Sequence, residues 1–388
     1  MDISTLCIHG CEKKYDITGA VSVPIFASST FAHPGVGQST GFDYSRSQNP
    51  TKEHLEHTVT ALEGGTDTIA FSSGMAAVSV LMELFSPGDH IVASYDLYGG
   101  TFRFFTHISE KNGIKFSYAT SAEEISAKIN PDTKAVFIET PTNPMMNVVD
   151  IEAVSKITQE KNLLLIVDNT FLTPIFQKPL ALGANIVLHS GTKYLGGHND
   201  TLAGLLTVKE SANSVCGLAE KLRFLAKTTG GCLSPFDSFL IIRGIKTLAL
   251  RMERHNKTAL LVAKWLTDQN KIKKVFFIGL KDHPDYEISC RQASGFGGMI
   301  SFSVNDEQTA KSILENVKII KYAESLGGAE SLITYPLLQT HADLPQNERE
   351  ARGINGCLLR LSVGLEAADD IINDLKQAID ANPMSGGK

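Results

Sequence analysis

Four places in this chain end an apolar run on a group able to do chemistry. In the stretch 185–197, NIVLHSGTKYLGG, a strand-like run passes into Ser190, Thr192, Lys193 and a glycine turn. Ligands of α/β sheets bind at the carboxyl ends of strands, so Lys193 is placed to point into such a crevice and the two hydroxyls to hold a phosphate. Alone, a lysine after a strand is more often a solvated surface cation. The run LLLIVDNT ends on Asp168, where a carboxylate either caps a helix, closes a salt bridge, or serves a group bound beside it. AFSSGMAAVSVLMELF runs through Ser72, Ser73 and Gly74 into an apolar helix. The free N–H groups of a helix start form an anion site, Gly74 lets a phosphate approach the backbone, and Ser73 can cap the helix. YDLYGGTFRFF puts Tyr98 at the end of the DHIVASY strand, where an aromatic face can stack on a planar ring.

Pyridoxal phosphate requires all four groups. It needs a lysine to bond its carbonyl, an ionised Asp to keep its ring nitrogen protonated, an anion cradle and a ring to stack on. The competing readings lack their motifs: G-x-G-x-x-G and G-x-x-x-x-G-K-[ST] are both absent. His189 and His198 with Asp200 flank a glycine turn without the i, i+4 spacing of a helical metal pair. Cys7, His9 and Cys11 have no second pair at zinc spacing, so no metal is expected and the thiols are read as lying near a mobile terminus.

The elements that must position these residues alternate. From about Glu53 to Thr207, the runs DTIAFSS, DHIVASY, KAVFIET, LLLIVDN, ANIVLHS and GLLTV interleave with helical patterns, giving at least six strands of a mostly parallel sheet. Residues 1–50, rich in Gly, Pro and Ser, read as an extended arm able to reach a neighbouring subunit, and 51–241 as the sheet domain. The long amphipathic pattern PFDSFLIIRGIKTLALRMERHNKTALLVAKWL crosses a boundary near Ile241 into a smaller α+β region, 242–388, with KKVFFIG, GGMISFSV and CLLRLSVG as strands and NPMSGGK as a tail. At 388 residues, two cores are expected. Lys and Arg number 36 against 42 for Asp and Glu, a net charge of −6 without a basic stripe, so nucleic acid is not an expected partner. With no apolar run near membrane length, no secretory pattern at the start and six dispersed cysteines, the chain is read as cytoplasmic, with reduced thiols and no membrane partner.

Taken together, FDYSRSQNPT (42–51), FSSGMAA (71–77), DLYGGTFR (96–103), ETPTNP (139–144), VDNTF (167–171), LHSGTKYLGGHND (188–200), RGIKTLALR (243–251), AESLGGAESLITYP (323–336) and LLRLSVGLE (358–366) resemble the Cys/Met-metabolism, or trans-sulfuration, enzymes over essentially the whole chain. The resemblance implies an α/β, aspartate-aminotransferase-like (fold type I) large domain, a smaller C-terminal α+β domain and pyridoxal 5′-phosphate as cofactor. It implies that Lys193 bonds the cofactor and acts as the base, that Asp168 pairs with the ring nitrogen, and that Tyr98 stacks on the ring. Ser73, Gly74, Met75, Ser190 and Thr192 would hold the phosphate, joined by Tyr44 and Arg46 from a neighbouring subunit. A homo-oligomer follows, with a dimer as the catalytic unit, usually paired into a tetramer. Arg360, with Ser325 and Asn143, would clamp the carboxylate of an amino-acid substrate.

Within the family, Glu324 stands where members that cleave a Cβ–S bond more often carry an apolar or tyrosine side chain. Gly100 stands where methionine γ-lyases tend to carry a cysteine. Glu324 and Arg103 together suit a long substrate, cystathionine or a homoserine ester, with Tyr44 also near the substrate. GVGQSTGFDYSRSQNPT, TKYLGGHND and ESLITYPLLQTHAD look most like bacterial cystathionine γ-synthases, while GFGGMISF and TLCIHG resemble γ-lyases as much. The expectation is γ-replacement on an acylated homoserine by cysteine. The alternatives are γ- or β-elimination from cystathionine and sulfhydrylation of O-acetylhomoserine. A non-catalytic, cofactor-bound regulator would be marked by loss of the lysine, and Lys193 is present.

Overall fold

The structure, a computed structural model, describes residues 1–11, 13, 18–210, 217–342 and 345–381; the tail 382–388 lies outside them. Apolar, β-branched runs build a seven-stranded sheet from β1 (Asp67–Phe71), β2 (His90–Ser94), β3 (Lys115–Ala119), β4 (Thr133–Glu139), β5 (Leu164–Asp168), β6 (Ile186–Ser190) and β7 (Gly204–Val208). The order is β1-β7-β6-β5-β4-β2-β3. The strands from β6 to β3 run parallel, and β7 is antiparallel to both β6 and β1. The six expected strands are present. The seventh, β3 (KFSYA), was not read from the sequence because it forms the half-buried sheet edge and lacks a continuous apolar run.

The central parallel strands are covered on both faces, which is why they read as apolar runs. Along β4, Ala135 and Phe137 join one apolar cluster with Ile91, Ile166 and Ile186, while Val136 and Ile138 join another with Val92, Leu165 and Val187. Each such side chain, fully withdrawn from water, contributes roughly 1.5 to 3 kcal/mol before entropy is counted.

The first fifty residues are not wholly extended. Helix α1 (Ile3–His9) packs on α2 (Pro50–Glu63) and buries Cys7, so that thiol belongs to a core rather than to a loose end. Helix α2 starts under Asn49, whose Oδ1 accepts the Thr51 and Lys52 N–H groups, with Pro50 at its first position. The long amphipathic pattern divides into two helices, Pro235–Ile245 and Leu248–Thr267, and the expected boundary at Ile241 falls inside the first.

The C-terminal region holds a second, five-stranded sheet made of β8 (Ile272–Phe276), β9 (Met299–Val304), β10 (Lys321–Tyr322), β11 (Leu332–Thr334) and β12 (Leu358–Ser362), ordered β10-β11-β12-β9-β8. Ile300, Phe302, Leu359 and Leu361 form its own core with the helices that cover it. This sheet meets the large one through residues 141–144: Ser301 Oγ donates to the Pro144 carbonyl at 2.6 Å, and Arg360 of β12 reaches Asn143. No helix among the described residues is long and apolar enough to cross a membrane.

Candidate active site

Three neighbouring parallel strands, β4, β5 and β6, end at the same edge on Glu139, Asp168 and Ser190. All three line one cavity of about 210 Å³. The helix that follows β1, α3 (Gly74–Met82), enters from one side, and the turn after β6 brings Lys193 in from another. The small sheet supplies Arg360, preceded in the chain by Glu324 and Ser325.

Lys193 Nζ donates to Ser325 Oγ at 2.9 Å. Burial, reinforced by the Arg360 charge and opposed by Glu324, lowers its pKa from 10.5 to about 8, so near neutrality the free amine, negligible for an ordinary lysine, is roughly a tenth of the total and able to act as nucleophile or base. Ser325 is held at φ +82°, a strained conformation for a residue with a Cβ. Its hydroxyl meets Lys193 while its carbonyl accepts Arg360 Nη2 at 2.8 Å.

Asp168 Oδ1 accepts the Thr170 N–H at 3.0 Å and the Thr170 hydroxyl at 2.5 Å. Burial pushes its carboxyl up, and those two hydrogen bonds oppose that push. A cation beside it would complete the reversal. Arg360 is buried, its Nη1 on Asn143 Oδ1 at 2.9 Å and its Nη2 also on Thr334 Oγ1 at 3.1 Å, while Nε has no partner. A buried guanidinium with a donor to spare is a site for a carboxylate. Burial, only partly offset by Tyr194, Tyr98, Glu324 and Glu139, brings its pKa down to about 10.

The residues fit a phosphorylated, cationic ring. Ser73 caps α3, its Oγ accepting the Ala76 N–H at 3.1 Å, which leaves the first helical N–H groups facing the cavity as an anion cradle. A Cβ on Gly74 would lie 3.2 Å from Ser190 Cβ, and one on Gly204 would lie 2.1 Å from the Ser73 carbonyl oxygen, so glycine at both positions lets helix, strand and turn converge. Thr192 Oγ1 accepts the Ala203 N–H at 3.0 Å, which anchors the turn that carries Lys193. At the far end, Asp168 offers a carboxylate that burial disfavours until a positive charge joins it.

Of the residues expected from the sequence, Ser73, Gly74, Met75, Tyr98, Asn143, Asp168, Ser190, Thr192, Lys193, Glu324, Ser325 and Arg360 all line this cavity. Tyr98 lies beyond the end of β2, as N-cap of the short helix α4 (Gly99–Phe104). Tyr44, Arg46 and Arg103 are not in this chain's cavity. Arg46 Nη1 donates to the Lys227 carbonyl at 2.9 Å, and Arg103 lines an adjoining cavity with His107 and Glu348. Glu324 is exposed at the cavity wall, and Lys321, a possible partner, donates instead to the Lys318 carbonyl. His189 points away from this edge and pairs with Glu63 at 2.5 Å, both fully buried. Among the described residues, no group of three metal-ligating side chains occurs. Among the lining residues that the sequence reading did not name, Glu139 and Thr170 stand against the groups it did, Glu139 on the Tyr98 N–H and Thr170 on Asp168. KAVFIE carries for Glu139 the same signal that LLLIVD carried for Asp168, an apolar strand ending on a carboxylate.

The model of the Cys/Met metabolism PLP-dependent enzyme family matches residues 4–380. A cystathionine beta-lyase of Lactococcus lactis subsp. cremoris is 47% identical over 97% of this chain and 99% of its own length. A cystathionine gamma-synthase of Haemophilus influenzae is 47% identical over 97% of both chains. The crystal structure of a cystathionine gamma-lyase from Lactobacillus plantarum complexed with L-serine superposes with a TM-score of 0.94 at 42% identity, covering 97% of this chain and 98% of that one.

Proposed function

The chain belongs to the Cys/Met metabolism family of pyridoxal-phosphate-dependent enzymes, and from that premise we propose that it is a cystathionine γ-synthase, joining an O-acyl-homoserine to cysteine with release of the acyl carboxylate. The membership makes it a trans-sulfuration enzyme with pyridoxal phosphate as cofactor. Relatives bearing three activities stand at similar identity, so the choice rests on the site.

The observation that carries it is Glu324, an exposed carboxylate on the wall of the cavity that holds Lys193 and Arg360. A carboxylate there suits the ammonium of incoming cysteine or the distal ammonium of cystathionine, and the likeness of GVGQSTGFDYSRSQNPT, TKYLGGHND and ESLITYPLLQTHAD to γ-synthases favours the first. When bound, the cofactor acts as an electron sink for charge developing on the substrate carbon skeleton. Lys193 would hold the cofactor through Nζ, and its lowered pKa makes the free amine the base within reach, suited to take a proton from substrate Cα and then from Cβ and to return protons to the carbon skeleton. Ser325 Oγ holds Nζ in place between transfers. Arg360 would orient the α-carboxylate, Asp168 would supply a negative charge to the cofactor's ring nitrogen, and Tyr98 would cover the ring. Tyr44 and Arg46, exposed on the arm, complete the phosphate site of a neighbouring subunit in a dimer that pairs into a tetramer, and the enzyme works in the cytoplasm.

Purified protein supplied with O-acetylhomoserine, O-succinylhomoserine or cystathionine, each with and without cysteine, distinguishes the activities by product. Cystathionine made from an acyl-homoserine and cysteine is the expected result. Release of a 2-oxo acid and ammonia from cystathionine, without any synthesis, would overturn the proposal in favour of a lyase.

A further inference from the structure

The acid that ends β4 has no role in the reaction as derived above, yet it sits among the groups that perform it. Glu139, buried, and Asp168, half-buried, are paired in register on adjacent strands and both line the cavity. Glu139 Oε2 accepts the backbone N–H of Tyr98 at 2.8 Å. Its own N–H donates to Ser94 Oγ of β2 at 3.2 Å, which fixes the strand end from which that carboxyl projects. Tyr98 begins α4 without any side-chain cap. Its ring lies so close to the helix that a Cβ on Gly100 would be 2.5 Å from Cε1. The Tyr98 carbonyl accepts the Phe102 N–H at 3.0 Å within the turn, and the side chain that ties the start of the turn back to the sheet is Glu139, which accepts the Tyr98 N–H.

We propose that Glu139 is a positioning residue that latches the Tyr98 ring to the strand beside Asp168, holding the stacking group and the ring-nitrogen group at a fixed separation. This rests on the reading of Tyr98 and Asp168 as cofactor contacts. Two carboxyls in one buried site do not both ionise readily, and their surroundings separate them. Facing Glu139 are Asp168 from β5 and Asp96 from the turn after β2, which with burial hold its carboxyl well above the usual range; the Tyr98 and Asn143 N–H groups and Arg360 from β12 act the other way. Asp168 has the two Thr170 donors and, with the cofactor bound, a cation. Glu139 is thus the neutral member, an acceptor for Tyr98 that adds no second negative charge beneath the ring.

The test uses holoenzyme carrying Glu139→Ala or Glu139→Gln. Its readouts are the visible circular dichroism of the bound pyridoxal phosphate, the cofactor dissociation constant, the pH profile of kcat/KM and the Tm. Glu139→Ala is expected to lose most of the cofactor dichroism and about tenfold in kcat with KM little changed, since a displaced ring costs orientation rather than binding. Glu139→Gln keeps a neutral acceptor, so it is expected to recover the dichroism and leave the shape of the pH profile as in the wild type. The proposal is overturned if Ala keeps wild-type dichroism, or if Gln fails to recover it. It is equally overturned if Gln displaces the pH profile, which would make Glu139 the ionised acid. Should Ala fail to fold, the Gln arm decides alone. Failure of the wild-type protein to carry the cofactor on Lys193 would instead remove the reading on which the proposal stands.

Discussion

Replacing Lys193 by Met should stabilise the cofactor-free protein. In the unfolded chain a lysine titrates near 10.5, whereas in the native site burial and Arg360 bring this one to about 8. Between those values the native state binds fewer protons than the unfolded state, so wild-type stability rises with pH there, and below about 8 the full cost of burying the charge is carried. At ~1.4 kcal/mol per pH unit that cost is roughly 3 kcal/mol. Removing the amine also removes its bond to Ser325 Oγ, a loss of about 1 kcal/mol. The net expectation is that the Met variant is more stable by about 2 kcal/mol near pH 7, with the advantage fading as pH approaches 10.5. Urea unfolding of the two apoproteins, at one protein concentration and a series of pH values, measures it. A Met variant no more stable than wild type near pH 7, or an advantage that grows with pH, would refute the account of Lys193 as a desolvated amine.

Glu324→Ala should weaken the handling of cysteine or cystathionine by about tenfold to a hundredfold, the loss of one charge-assisted hydrogen bond, while largely sparing turnover of a homoserine ester without thiol. Parallel kinetics on the two kinds of substrate check this, and equal losses would place Glu324 in the scaffold. Arg46→Ala and Lys193→Ala proteins, each inactive, should regain partial activity when co-refolded, because a hybrid dimer holds one site with both residues intact. No recovery would put Arg46 and Lys193 in the same chain's site.

Most of the large sheet, and the cavity-lining Ser73, Gly74, Tyr98, Asp168, Ser190, Thr192 and Lys193, were legible in the runs themselves, for one physical reason, whereas Met75, Asn143, Glu324, Ser325 and Arg360 came only with the resemblance to the family. A central parallel strand is buried on both faces, so it reads as an apolar run, and a polar residue at its end stands out, as Asp168 and Ser190 do. The same logic fails where burial is partial: β3, with Lys115 exposed and Phe116 to Tyr118 half-buried, carries no such run. Helix α1 was hidden because its amphipathic face covers only part of α2 and the helix Leu248–Thr267, and seven residues give little period to read. Glu139 was visible but unassigned, since its meaning comes from the in-register neighbour Asp168 and from the Tyr98 N–H, contacts that exist only once the strands pair. The placement of Arg103 in an adjoining cavity likewise depends on how α4 packs beside His341 and Glu348, which spacing along the chain does not specify.

The central claim is that Lys193 carries the cofactor, and covalent labelling tests it most directly. Borohydride treatment of the yellow holoenzyme should fix pyridoxal phosphate irreversibly, and peptide mapping should place the whole label on the Lys193 peptide, with none incorporated into Lys193→Ala. Label recovered on a different lysine, or a purified protein that takes up no pyridoxal phosphate, would contradict the assignment of this site and the chemistry built on it.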